Sequence, residues 1–304
     1  MNIAINRSTA VPIGLSGAAR LKRGLKPYLL CLPIVVFAIG FVYYPFLKTL
    51  LDSFSVVSAK GEITGFAGLS NYASLFGKSN FRTALTNTLK LTALNVPITL
   101  LITLGLALLC RRRRPLSPVY ETLFTLPMAV AMSAAAMIFK VLLNPTVGYV
   151  NYALGLNVGW FTQRQSALYG ILAITVWMGV PLNFLLLLAA LRAVPSELSE
   201  AAAIDGAGFW ERLWRVQLPL VSPTLLYVLC TNMVLSLMTA GPVMIITQGG
   251  PSRSTTTLLY LMYVSGYGSA NYSLAACVAV VTFLLTLSFT MLAFVLERRG
   301  VHYQ

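Results

Sequence analysis

The composition of this chain excludes an ordinary soluble protein. It has 304 residues, of which 57% are hydrophobic and 10% are charged, whereas about a quarter of the residues in a soluble protein are charged. The net charge of +14 would indicate nucleic-acid binding if the basic residues shared a soluble face, but here they flank apolar runs. We therefore expect membrane lipid, and no nucleic acid, as a partner.

Six apolar runs are long enough to cross a bilayer, which takes about 20 residues in a helix. They predict spans at 27–50, 86–110, 119–143, 167–191, 223–246 and 271–296. The sequence therefore predicts an all-α, polytopic membrane domain over residues 27–299, with short tails at 1–26 and 300–304.

The distribution of lysine and arginine predicts the orientation of these spans. If both termini are cytoplasmic, most basic residues fall in cytoplasmic segments, as the positive-inside rule requires. Four consecutive arginines directly follow the second run, and we interpret them as an anchor at its inner end. They are Arg111, Arg112, Arg113 and Arg114.

Two further features follow from turn chemistry and periodicity. In the outer loop, residues 68–76 combine apolar and aromatic side chains that predict a short helix at the outer surface. Within the spans, Pro127, Pro181 and Pro242 each lack a backbone donor, so we expect kinks in the third, fourth and fifth helices.

Several chemistries lack their usual residues in this chain. His302 is the single histidine, the four cysteines form no close pair, and no Asp or Glu lies in the middle of a predicted span. We therefore predict no catalytic residue, no metal site and no carboxylate-based proton relay. The sequence also lacks a phosphate-binding loop of the form Gly-x-x-x-x-Gly-Lys-Ser/Thr, so the chain is not expected to hydrolyse ATP itself.

A polar segment over residues 193–219, here called the insert, separates the fourth and fifth apolar runs. Pro195 suits the start of a short helix that Asp205 and Gly206 would end, and residues 208–216 predict a second short helix. The residues alone leave two interpretations open. The insert is either a docking element for a partner or an amphipathic segment with Trp210 and Trp214 at the lipid headgroups.

The motif inside the insert resembles a known family. Glu200, Ala201 and Ala202, followed by Gly206 and then by Leu218 and Pro219, resemble the Glu-Ala-Ala loop of permease subunits in ABC-type importers. Short motifs elsewhere in the chain resemble those of the carbohydrate-uptake, maltose-type group of these permeases. They lie at 68–72, 126–127, 144–145, 249–251 and 255–257. Residues 203–208 and the end at Tyr303 and Gln304 are similar to the glycerol-3-phosphate branch of that group.

This resemblance implies a six-span subunit in a bacterial or archaeal cytoplasmic (inner) membrane. It implies a heterodimer with a second permease subunit, two ATP-binding subunits that hold ATP and Mg²⁺, and an extracytoplasmic solute-binding protein. The chain itself would need no cofactor. The residues implied in coupling to the ATPase are Glu200, Ala201, Ala202, Asp205, Gly206, Leu218 and Pro219.

The path of the solute is less well marked in the sequence. Polar or aromatic residues at membrane depth usually face the interior of a helix bundle, and the candidates are Trp177, Asn183, Asn232 and Ser236. Each has an alternative interpretation as an ordinary helix–helix contact. Lys140 either attracts an anionic solute or extends to the membrane surface.

The function that the resemblance implies is that of an importer permease for a sugar or a related polyol or sugar phosphate. Two alternatives remain at this point, namely a secondary carrier and a membrane scaffold that moves no solute. Uptake that survives ATP depletion would indicate a secondary carrier.

Overall fold

The computed structural model describes the backbone of residues 17–300 and the side chains of residues 28–295. Most of the predicted tail at 1–26, and the predicted tail at 300–304 apart from Gly300, lie outside the described backbone. The chain divides into two compact units, residues 1–51 and residues 52–304. Each unit is described by itself.

The described part of the first unit is helical. Helix α1 (Gly17–Ala38) passes through a π-helical turn (Ile39–Tyr43) into α2 (Tyr44–Ser53). The stretch Tyr28–Ser53 is long and apolar enough to cross a membrane. This agrees with the first predicted span.

The second unit contains the other helices that form candidate spans or parts of them. In chain order they are α4 (Ser79–Cys110), α5 (Ser117–Thr125) with a 3₁₀ turn (Leu126–Ala129), α6 (Met132–Leu142), α8 (Ala167–Ala193), α10 (Phe209–Arg212), α11 (Leu218–Leu237) and α13 (Tyr272–Gly300). Shorter helices are α3 (Ser70–Gly77), α7 (Tyr149–Leu154), α9 (Ser196–Ile204) and α12 (Leu258–Tyr263). Within the described residues, five helices could cross a membrane, or six if one bent pair counts as a single span. The predicted all-α, multi-pass fold is confirmed.

The three prolines expected to kink the spans behave differently from one another. At Pro127 the third span bends by 105° between Ser117–Ala129 and Met132–Leu142, as expected where a backbone donor is missing. Helix α8 instead continues unbroken through Pro181. Pro242 lies beyond the end of α11, directly before a π-helical turn (Val243–Thr247), so the fifth span ends earlier than predicted.

The fifth span also begins earlier than predicted. Helix α10 continues through a π-helical turn (Leu213–Gln217) into α11, and Phe209–Leu237 forms one candidate span. Pro219 lies in the first turn of α11, where its ring would press against the carbonyl four residues earlier in a regular helix. The π turn widens the helix at this point, with the Leu218 N–H donating to the Leu213 carbonyl, so the proline does not end it.

The loop between the first two spans, which the sequence predicts to be an outer loop, carries the predicted short helix, α3, together with a hairpin that the sequence did not predict. Strand β1 (Ser55–Val57) pairs antiparallel with β2 (Ile63–Phe66). The Asn71 amide donates to the Ser53 carbonyl at 3.1 Å and to the Ser55 carbonyl at 2.9 Å. The Tyr72 hydroxyl donates to the Ser53 hydroxyl at 2.7 Å. These bonds fix α3 against the start of the hairpin.

The core of the second unit lies where α4, α8 and α11 pack together. Its buried side chains near the insert are Ala107, Cys110, Phe184, Leu187, Leu188, Leu191, Val221 and Val228. Many large apolar side chains on the outer surfaces of the spans are exposed. Such helices are apolar all round because one side meets other helices and the other side meets lipid.

Candidate functional site

The insert presents a short exposed helix, α9, between two spans. The helix begins after Pro195, whose φ of −56° and ψ of 131° hold the chain outside the helical region. It ends where the Gly206 N–H bonds to the Ala203 carbonyl and the Ala207 N–H bonds to the Ala202 carbonyl. Gly206 has a φ of +87°, a left-handed conformation that glycine adopts without strain. The sequence-predicted end of the helix is therefore present.

The structure separates the predicted coupling residues into two groups. Glu200, Ala201, Asp205 and Gly206 are exposed on α9 and its terminal turn, and Ala202 is half-buried there. Leu218 and Pro219 are half-buried in the first turn of α11. The first group can meet a partner directly, whereas the second belongs to the base of the fifth span.

An exposed apolar residue accompanies the first group. Ile204, the last residue of α9, is 87% exposed. Its side chain therefore contributes little to the core of the fold.

Gln217 connects α9 to the fifth span and was not singled out from the sequence. Its side chain is buried in the π turn, and its amide lies 3.4 Å from the Ser199 hydroxyl on α9. Its Oε1 atom has no hydrogen-bond partner in the described part of the chain. A buried glutamine directly before the apolar α11 is the signal that reading the sequence could have used.

Arg192, at the other end of the insert, is a second residue that sequence reasoning missed. It forms an ion pair with Glu121 on α5, in which Nη1 donates to Oε2 at 3.2 Å. The same guanidinium donates to the carbonyls of Cys110, at 2.9 Å, and Arg111, at 3.3 Å. It thereby caps the last turn of α4 and holds α5 against α8. Glu121 could have indicated this ion pair in the sequence, because a carboxylate beside an apolar run requires a partner.

Two of the four candidate pathway residues bond to each other. The Asn183 amide donates to the Asn232 side-chain oxygen at 2.9 Å and to the Gly179 carbonyl at 2.8 Å. The Asn232 amide donates to the Val228 carbonyl at 2.7 Å. Both side chains are buried between α8 and α11. This arrangement supports the helix-contact interpretation for this pair.

Gly179 permits this close approach. A Cβ atom built there would lie 3.2 Å from the Thr99 methyl group and 3.5 Å from the Asn232 side-chain oxygen. Small residues of this kind let membrane helices pack closely.

The other two candidates are placed differently. Trp177 is half-buried and meets Phe139 edge to face at a centroid distance of 5.6 Å. Both rings line an apolar cavity of about 550 Å³ beside the bent third span. The Ser236 hydroxyl is buried and has no hydrogen-bond partner among the described residues. Lys140 is exposed in the last turn of α6.

Comparison with known proteins decides the class of this chain. Residues 96–301 match the family described as "Binding-protein-dependent transport system inner membrane component". The chain belongs to this family. It is therefore a multi-pass permease subunit of an ABC-type importer, and the secondary-carrier and scaffold alternatives are set aside.

Relatives of this permease carry a more specific description. It is 35% identical over 282 residues to the sn-glycerol-3-phosphate transport system permease protein UgpA of Yersinia enterocolitica, covering 91% of this chain and 96% of the relative. It is 36% identical to UgpA of Salmonella typhi over the same shares of both chains. The predicted resemblance to the glycerol-3-phosphate branch is confirmed.

Solved structures support the fold of this permease. A chain from a bacterial alginate ABC transporter, in complex with an alginate pentasaccharide-bound periplasmic protein, matches with a TM-score of 0.78 and 22% identity, over 92% of this chain and 96% of that one. A chain from a bacterial ABC transporter involved in alginate import matches with the same TM-score. At this identity the likeness concerns the fold alone.

Proposed function

We propose that this permease forms half of the translocation pathway for a sugar or a related polyol or sugar phosphate, and that sn-glycerol-3-phosphate is the first solute to test. The observation that carries the proposal is the 35% identity to UgpA over 96% of that relative's length. Conservation of length together with sequence favours a shared subunit role. The neutral-sugar alternative is an outcome of the same uptake test.

Four further components complete the proposed importer. A second permease would supply the other half of the pathway, two ATP-binding subunits would bind ATP and Mg²⁺, and an extracytoplasmic protein would deliver the solute. The absence of a phosphate-binding loop from this sequence supports a separate ATPase. The periplasmic protein bound to the alginate transporter supports an external receptor.

The insert is the proposed point of contact with the ATPase. Its exposed group consists of Glu200, Ala201, Asp205 and Gly206, with Ala202 partly accessible beside them. Helix α8 ends at Ala193 and is separated by two residues from α9, which begins at Ser196, and α10 continues into the fifth span. A displacement of α9 by a partner would therefore pass directly to two spans, as in a rigid-body switch.

Alternating access then follows from this connection. Closure of the ATP-binding subunits would move the docked insert, and the attached α8 and α11 would change which side of the membrane the pathway faces. Trp177 and Ser236 remain proposed pathway residues. Asn183 and Asn232 would then contribute mainly by fixing the contact between the two moving helices.

The test is ATP-driven uptake by the assembled importer in proteoliposomes. The tagged chain is purified in mild detergent, and its co-purifying subunits are identified by mass spectrometry. The complex is then reconstituted into liposomes with ATP on the side of the ATP-binding subunits. Radiolabelled sn-glycerol-3-phosphate and the solute-binding protein are added on the other side. We expect Gly206→Asp to abolish uptake while the chain still inserts and assembles. Aspartate in the left-handed conformation of residue 206 costs about 1–2 kcal/mol of local stability. The substitution also brings a carboxylate to the proposed docking surface.

Gly155→Asp is the matched control. Gly155 also has a positive φ, +62°, and like Gly206 has no atom within 4 Å of a built Cβ, but it ends α7 far along the chain from the insert. Equal losses of uptake in both variants would contradict the coupling role. Uptake by the wild-type chain without ATP or partners would overturn the importer assignment.

A further inference from the structure

A basic cavity lies between the insert and the ends of two spans. Its volume is about 1300 Å³, and it is bordered by the ends of α4 and α8 together with α9 and α10. Its charged lining consists of Arg111, Arg112, Arg113, Arg114, Arg192, Arg212 and Glu200. Six arginines and a single acidic residue therefore line this cavity.

Most of this positive charge is not compensated by the protein. Arg192 is paired with Glu121. In the described part of the chain no carboxylate lies within 4.0 Å of the other five arginines, since the second ion pair joins Arg215 to Glu211. Burial, and then the charges of Arg112 and Arg212, lower the pKa of Arg111. Arg111 and Arg212 thus repel each other across the cavity, and a bound anion would relieve that repulsion.

The cavity also has an apolar border at the membrane end. Leu108, Leu109, Phe209 and Trp210 line it beside the arginines, and Leu109 is 74% and Trp210 69% exposed. Guanidinium groups next to exposed aliphatic and indole side chains match a ligand that has both an anionic head and hydrocarbon chains. A soluble anion would contact only the guanidinium groups.

The cavity occupies one side of α9 and shares Glu200 with the proposed coupling residues. Ser196, Ser199, Glu200 and Ala203 line the cavity, and their spacing places them on one side of the helix. Ala201, Ile204 and Asp205 lie on other sides and do not line it. A partner that contacts Ala201 and Asp205 would therefore leave Ser196, Ser199 and Ala203 beside the cavity.

We propose that this cavity binds an anionic phospholipid, with the guanidinium groups of Arg111 and Arg212 holding a headgroup phosphate and Leu109 and Trp210 contacting the acyl chains. The excess of arginine favours a headgroup with two phosphates, as in cardiolipin, since basic pockets between helices at the cytoplasmic surface bind such lipids. This inference goes beyond the importer function. The lipid would stabilise the position of the insert beside the end of α4. The coupling of the spans to the ATP-binding subunits would then depend on membrane composition.

The test measures retention of cardiolipin by the purified full chain, using native mass spectrometry after exchange into detergent with a defined amount of that lipid. We expect the wild-type chain to retain it and Arg111→Gln/Arg212→Gln to bind at least about tenfold more weakly, because two charge-assisted contacts are removed. The matched control is Arg82→Gln/Arg164→Gln, which removes the same charge from exposed positions outside the cavity. This control should bind cardiolipin like the wild type.

Further arms separate the competing explanations. Arg111→Lys/Arg212→Lys keeps the charge for topology and should still bind more weakly than wild type, since lysine lacks the bidentate fork. If inorganic pyrophosphate displaces cardiolipin at equal concentration, the site takes a soluble anion and the lipid proposal fails. The proposal also fails if Arg111→Gln/Arg212→Gln binds like wild type, or if lipid is lost when the ATP-binding subunits are present. No solute or ATP turnover is measured, so this result is independent of the uptake test.

Discussion

Arg192 at the end of α8 and Glu121 in α5 form an ion pair that also closes the end of α4. The two side chains are 22% and 23% exposed, so the pair lies at a partly screened site between three helices. We expect Glu121→Gln to destabilise the protein by about 1–3 kcal/mol, because the guanidinium loses its counter-charge but keeps its carbonyl partners. Thermal unfolding in detergent measures the effect.

Glu211→Gln is the matched control for this pair. Glu211 and Arg215 form an i,i+4 pair whose side chains are 44% and 78% exposed, and exposed pairs contribute about 0–1 kcal/mol. A control that lowers Tm as much as Glu121→Gln would show that the position of the Arg192 pair has no special importance. Arg192→Lys should lower Tm further than Glu121→Gln, since lysine cannot serve one carboxylate and two carbonyls together.

The hairpin formed by β1 and β2 depends on the side chain of Asn71. Asn71→Ala removes both amide bonds to the backbone at Ser53 and Ser55, and we expect a local loss of about 1–2 kcal/mol. Deuterium uptake at residues 53–57 should increase. Ser70→Ala, which removes only an exposed bond to the Ala67 carbonyl, should leave that exchange unchanged. Equal exchange in the two variants would show that α3 is held by other contacts.

The bond between Asn183 and Asn232 is expected to stabilise the bundle rather than to select the solute. In a double-mutant cycle of the two alanine variants, we expect a coupling of about 0.6 kcal/mol, the average for polar pairs in membrane helices. The KM for uptake should not change in either variant. A raised KM with unchanged Tm would place these residues in the pathway.

The predicted orientation is tested by replacing the four native cysteines with serine, introducing one cysteine at a time and labelling it in intact cells with a membrane-impermeant maleimide. Tyr152, 85% exposed after the bent third span, should be labelled from outside as Tyr152→Cys. Glu197, exposed on α9, should be labelled as Glu197→Cys only after the membrane is opened. Labelling in the reverse pattern would invert the orientation and place the insert outside.

Much of the architecture could be predicted because its physical causes are local. Apolar length predicts spans, and a Gly at residue 206 predicts the end of α9, since both depend on residues that are close in sequence. The bend at Pro127 follows from the same kind of rule. The continuity of α10 with α11 could not be predicted in this way, because a π turn offsets the effect of Pro219.

Hydropathy and a motif of fixed spacing can be read along the chain, and they were sufficient to predict an all-α membrane permease with a polar insert. The contacts between polar groups became known only from the folded arrangement of the helices. The pairing of Arg192 with Glu121, the contact between Asn183 and Asn232, and the gathering of Arg111 and Arg212 around one cavity all join distant positions. Such contacts depend on how the helices pack in three dimensions, and no local pattern specifies that packing.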